Sequence, residues 1–162
     1  QSTVFNVRKL VKQCITVLAL SGGMLGVIHT GLAHDAAATM DSVGNSATFT
    51  GYGFVTCFDD GNGVPAYLEA RVKDSTANTA KVAILIQKGT SCTTNKCAQF
   101  SFDTTDSDTN YSPVVKVTQG TGVYNMFVMH SAAGSDSYTA EPHCKTAGGI
   151  HTGTSIVSKQ QQ

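Results

Sequence analysis

From Thr48 onward the chain alternates polar and apolar residues in short runs, the period-two signature of half-buried β-strands. The clearest run sets Ala66, Leu68, Ala70 and Val72 on one face against Tyr67, Glu69, Arg71 and Lys73 on the other. Val82, Ile84 and Ile86 share a face, as do Phe100 and Phe102, then Val115 and Val117. Tyr124, Met126 and Val128 follow, then Tyr138, Ala140, Pro142 and Cys144, and a last short strand is predicted between Ile150 and Val157. Turn residues punctuate these runs. Asp59-Asp60-Gly61-Asn62-Gly63 tolerates positive φ and reads as a hairpin loop, and glycines at 120, 122, 134, 148 and 149 break up the second half. No helical period is sustained over this stretch. Seven or eight strands at such spacing predict an all-β domain over residues 48–157, a two-sheet sandwich of immunoglobulin-like or jelly-roll-like type. The Ala-rich residues 34–47 read as a flexible arm or an extra strand, and residues 158–162 as a polar tail.

The segment Gly122-Val123-Tyr124-Asn125-Met126-Phe127-Val128, followed by Gly134 and Tyr138, is similar to the closing hairpin of many bacterial secreted β-sandwich modules. That resemblance implies a fold and carries no activity with it.

Ahead of the strands the pattern changes. Arg8, Lys9 and Lys12 precede an uncharged stretch from Gln13 to Ile28, and Thr30-Gly31-Leu32-Ala33 supplies small residues on either side of Leu32. A basic end, an apolar run and small residues at a cut describe an export signal over residues 1–33, with cleavage expected after Ala33. The apolar run is about 15 residues, short of the roughly 20 that span a bilayer. The alternative is a retained N-terminal anchor, with the membrane reached only through residues 10–33. Either way the domain is expected outside the cytoplasm: secreted, periplasmic or on the cell surface.

The cysteines agree with that compartment. Cys14 falls in the export segment, leaving Cys57, Cys92, Cys97 and Cys144. An even number in an exported domain predicts disulfides, and the expected pairing is Cys57–Cys144 and Cys92–Cys97. The second would close the tight loop Thr93-Thr94-Asn95-Lys96, and the first would join an early strand to the last long one. A zinc site is disfavoured because no Cys-x-x-Cys pair exists.

Composition narrows function mainly by exclusion. Charged residues are 14% of the chain and the net charge is zero, so nothing marks a nucleic-acid or anionic-lipid surface. Without residues 1–33 the remainder carries eight basic and eleven acidic residues, a net charge of −3. Tryptophan is absent and aromatics are sparse, which disfavours sugar binding through ring platforms. There is no Gly-x-Ser-x-Gly elbow and no phosphate-binding glycine loop, and Glu69 and Glu141 are the two glutamates. The reading is therefore non-enzymatic.

Three groups of residues carry candidate chemistry. His34 would become the amino terminus after cleavage, and an N-terminal histidine can chelate copper through its amine and imidazole together. Glu141, His143 and His151 are expected on one exposed face, with His143 and His151 opposed across a turn centred at Ala147-Gly148; such a set suits a divalent metal, as against a plain solvated strand face. Asp103, Asp106, Asp108 and Asn110 space oxygen ligands like the start of a calcium loop. Tyr111 and Val117 stand where an EF-hand needs Gly and Glu, so the choice there is an irregular calcium site or an acidic surface loop. The leading functional expectation is a structural or interaction protein, a subunit of an extracellular or cell-surface assembly such as a filament, self-associating or meeting another surface protein through edge strands. The alternatives are a periplasmic copper- or calcium-binding protein and a membrane-anchored accessory subunit.

Overall fold

The computed structural model describes residues 34–89 and 96–160, and among them it has no helix. Nine strands form: β1 (Ala36–Met40), β2 (Thr50–Phe58), β3 (Tyr67–Asp74), β4 (Val82–Lys88), β5 (Ala98–Phe102), β6 (Val115–Val117), β7 (Gly122–His130), β8 (Asp136–Lys145) and β9 (Gly153–Gln160). They make two antiparallel sheets, one of four strands in the order β1-β8-β3-β6 and one of five in the order β5-β4-β7-β2-β9. The count exceeds the seven or eight expected because β1 grows from the Ala-rich segment, whose small side chains show no alternation. It pairs with β8 from Ala36↔Ala140 to Met40↔Asp136.

The core lies between the sheets and follows from alternation. On β8, Tyr138, Ala140, Pro142 and Cys144 are buried while the residues between them face outward. Val55 and Cys57 on β2, Leu68 and Val72 on β3, Ile84 and Ile86 on β4 and Tyr124 on β7 fill the same interior, each fully buried. Burying each such side chain contributes roughly 1.5–3 kcal/mol before chain entropy is charged against it.

Only β4 and β5 are consecutive strands within one sheet; every other connection passes from one sheet to the other. The Asp59–Gly63 turn is therefore not a hairpin. It carries the chain from β2 across to β3, with φ of 101° at Gly61 and 113° at Gly63, and Asp59 Oδ1 accepts hydrogen bonds from both of their amides. The turn chemistry was legible, but which strands it joined was not.

Phe100 and Phe102 are a second departure. They share a face, as expected, but it is the solvent face: Ser101 points inward and is 8% exposed, while the two rings are 53% and 47% exposed.

The alternating crossings bring β2 and β8 into opposite sheets, and Cys57 and Cys144 form a disulfide between them with Cα atoms 5.4 Å apart. Such bonds persist in oxidising compartments. Among the described residues no helix is long and apolar enough to cross a membrane. Residues 1–33 and Cys92, and with them the export segment and the Cys92–Cys97 pairing, lie outside the described residues.

Candidate functional site

At the end of the sandwich where β8 finishes, three histidines from separate segments come together. His143 is outward on β8, one residue before the disulfide at Cys144. The chain then makes a tight turn in which the Thr146 amide donates to the Ile150 carbonyl and the Gly149 amide to the Thr146 carbonyl, with φ of 81° at Gly149. This turn pairs Lys145 with His151. The turn is centred on Gly148, so His151 opposes Lys145, and His143 and His151 are diagonal rather than directly opposed. They still meet: His151 Nε2 is 3.2 Å from His143 Nδ1 and the rings are edge to face with centroids 5.1 Å apart.

His34 arrives by the sheet. Because β1 runs antiparallel to β8, the residues ahead of Ala36 extend toward the Lys145 end of β8. Pro142 belongs on that stretch, since the β1 ladder has already ended there and its missing N–H deprives no partner. The His34 ring stacks on His151 with centroids 5.8 Å apart and planes 14° from parallel. The two separate histidine candidates thus form one cluster.

Glu141 sits elsewhere on the same sheet face. Its Oε2 accepts from Arg71 Nε at 2.6 Å and from Arg71 Nη2 at 2.6 Å, and it also accepts from the Tyr111 hydroxyl. Burial pushes its carboxyl up, but the Tyr111 and Arg71 hydrogen bonds and the guanidinium charge outweigh this and hold it low. The same contact, added to burial, pushes the Tyr111 phenol up to about 12. Glu141 is thus committed to Arg71 and Tyr111. Lys145 pairs with Glu69 at 2.5 Å, so His143, opposite Glu69 in the register, is bracketed by two ion pairs.

Two of the imidazoles, His143 and His34, are shifted toward neutrality. Burial lowers the pKa of His143, and the neighbouring His151 lowers it further, against Glu141 and Glu69. Burial also leads the lowering at His34, with His151 adding to it and Asp35 opposing. Neutral rings keep the lone pairs that bind metals. Two nitrogens bound to one metal at about 2.0–2.1 Å in tetrahedral geometry stand about 3.3 Å apart, close to the His143–His151 separation. As they stand, the pair shares a proton in the place a metal would take. His34 lies alongside this pair through its stack on His151. Among the described residues no three His, Cys, Asp or Glu side chains already stand in metal-binding geometry.

The acidic loop is not brought together in this way. Asp103 is buried, its Oδ2 accepting from the Asp74 amide and its Oδ1 from the Thr105 amide. Both oxygens of Asp106 accept from Lys81 Nζ at 2.7 Å. Asp108 accepts from the amide and the side chain of Asn110. These acids tie the loop to itself and to the sheets.

The sequence carried no signal for a buried polar layer at the other end of β8. There Asp136 Oδ2 is 2.6 Å from His130 Nδ1, both side chains fully buried, and His130 Nε2 is 2.8 Å from the Ser46 carbonyl. Asp74, also fully buried, accepts at Oδ1 from the Thr76 amide, and its Oδ2 has no hydrogen-bond partner among the described residues. No protein-family model, curated protein or solved structure matches the chain.

Proposed function

We propose that this chain is an extracytoplasmic β-sandwich module that binds a divalent, imidazole-preferring transition metal, copper foremost, through His34, His143 and His151. The observation that carries this reading is the 3.2 Å approach of His143 and His151, two rings from different elements, with a third imidazole stacked beside them. A nitrogen-only donor set suits copper and zinc and does not suit calcium. The inter-sheet disulfide and the export-type segment support placement outside the cytoplasm. Cleavage after Ala33 would add the free amine of His34 as a further nitrogen donor.

Calorimetric titration with copper(II) and, separately, zinc(II) tests the reading. One ion is expected per chain, and His143→Ala or His151→Ala is expected to weaken binding about tenfold or more, since even outer-sphere partners of a metal are worth that much. A chain starting at His34 is expected to bind copper more tightly than one with a residue added before it. Affinity no better than about micromolar, or affinity untouched by both alanine variants, overturns the proposal.

The earlier expectation of an assembly or interaction protein stands as a second reading. One observation favours it, the apolar outer face of the five-stranded sheet.

A further inference from the structure

The two outer faces of the sandwich are chemically opposite. On the four-stranded sheet the outward positions of β3 and β8 carry Glu69, Arg71, Lys73, Glu141, His143 and Lys145. On the five-stranded sheet the outward positions of β2, β4, β5 and β7 carry no charged residue, and β9 adds one, Lys159, whose ammonium lies over the Phe54 ring at 5.3 Å. The register sets Phe100, Leu85, Phe127 and Tyr52 side by side across four adjacent strands. Phe58, Phe100, Phe102, Val123 and Val157 on this face are between 42% and 53% exposed. A shallow hollow of about 460 Å³ opens between Phe100, Phe102, Ala83 and Met129, rimmed by Lys81, which is paired with Asp106, and by His130 and Ser131. Apolar patches of this extent on an exported domain mark a surface that is covered.

We infer that this face is a self-association surface, covered by the same face of a second copy. Five strands about 4.8 Å apart and about seven residues long span roughly 24 by 23 Å, so two copies face to face bury on the order of 1,200 Å², enough for a specific interface. Sheets pack this way in ordinary sandwich cores, about 10 Å apart, and a twofold dimer needs a surface complementary to itself. This one qualifies because Lys159 is the one charge among its described outward strand positions: its polar outward residues, such as Thr50, Thr56, Gln87 and Asn125, are uncharged and can meet those of a second copy without opposing like charges. Other occupants fit less well. Tyr52 and Phe127 stack on each other with centroids 4.8 Å apart and planes 13° from parallel, so they offer ring edges rather than the open ring faces a glycan takes. A single lysine on the strands is far from the several cations an anionic membrane recruits.

The test is sedimentation equilibrium of the full chain from about 1 to 100 μM, with a chelator present so that the metal reading plays no part. The wild type is expected at twice its chain mass. Phe100→Ser, at a position open enough to leave folding intact, and Phe127→Lys are each expected to weaken the dimer about 30-fold or more, the scale of an interface anchor. Circular dichroism melting checks that both variants are folded. Ile150→Ser and Val64→Ser, exposed apolar residues on loops off this face, are expected to leave the dimer unchanged. A monomer at 100 μM, a dimer indifferent to Phe100→Ser, or a monomer that sediments with lipid vesicles overturns the inference.

Discussion

Asp74→Asn is expected to stabilise this protein at neutral pH and to remove part of its pH dependence. Asp74 ends β3 inside the sandwich with none of its surface exposed. One oxygen accepts from the Thr76 amide, while the other has no partner among the described residues. Burial pushes the carboxyl up to about 6 from an ordinary 3.8, and the charges of Asp136, Asp106 and Asp103 add to this, against the Thr76 hydrogen bond. A rise of about two units is worth about 3 kcal/mol of difference between the protonated and ionised forms.

The sign follows from linkage. The folded carboxyl keeps its proton to a higher pH than the unfolded one. Its stabilising contribution is full below about pH 4, falls as pH rises through 6, and is gone above that. Asparagine keeps the oxygen that accepts from Thr76 and replaces the orphaned anionic oxygen with a neutral amide, which removes the repulsion from Asp136, Asp106 and Asp103. Urea unfolding of wild type and variant at pH 4 and pH 7.5 reads the difference. The variant is expected to gain up to about 3 kcal/mol at pH 7.5 and little or nothing at pH 4. A variant less stable by the same amount at both pH values would refute the reasoning, because the carboxylate would then have a partner that asparagine cannot serve.

Removing the inter-sheet disulfide with Cys57→Ala and Cys144→Ala, which closes a sequence separation of 87 residues, is expected to cost on the order of 4–5 kcal/mol, read by urea unfolding under non-reducing conditions. Gly153→Ala should lower stability by about 1–3 kcal/mol in thermal melts, because a Cβ there would stand 2.6 Å from the Phe58 ring and from its backbone oxygen. Thr152→Val should cost about 1–3 kcal/mol in the same assay, since its buried hydroxyl reaches the carbonyls of Phe58 and Gly63 at the β2–β3 crossing. Metal affinity should persist to lower pH than it would for free imidazoles, because His34 and His143 both have lowered pKa values; a copper titration across pH 5 to 8, compared with free imidazole, checks this.

Alternation made much of this fold legible. Leu68, Ala70 and Val72, then Ile84 and Ile86, then Tyr124, Met126 and Val128 all point into the core as their spacing dictated. The Cys57–Cys144 pair was legible because both cysteines share the inward phase of their strands. Period-two patterning reports which face of a strand is buried, but not which sheet the strand joins, so the Asp59–Gly63 crossing read as a hairpin. It also fails where the outer face is itself apolar. Phe100 and Phe102 gave the same signal as a core pair because hydrophobicity does not distinguish a core from an apolar exposed face. His143 and His151 were near enough in sequence for a turn to join them, but His34 is more than a hundred residues away and only the β1–β8 ladder brings it there. The buried Asp74, His130 and Asp136 had no sequence signature at all, since each sits at a strand end where polar residues are ordinary.

The division of labour within the sandwich explains why these features can coexist. The histidine cluster is built at one end of β8, beside the disulfide, where Cys144 is covalently fixed and its amide donates to Thr154 Oγ1 at 2.9 Å. His143 therefore sits beside a covalently fixed point of the fold, and under the proposed metal reading His34 is the ligand that would adjust. The buried acids are gathered at the opposite end of β8, where Asp136 begins the strand. The apolar face belongs to the other sheet, and its outward residues are separate from the three histidines of the cluster. If both proposals hold, a metal would bind the cluster without opening the core, and a second copy would cover the five-stranded sheet without touching His143. Occupancy and assembly are thus separable by design of the topology, because one long strand carries both polar ends and the sheet it belongs to keeps its charged face toward water.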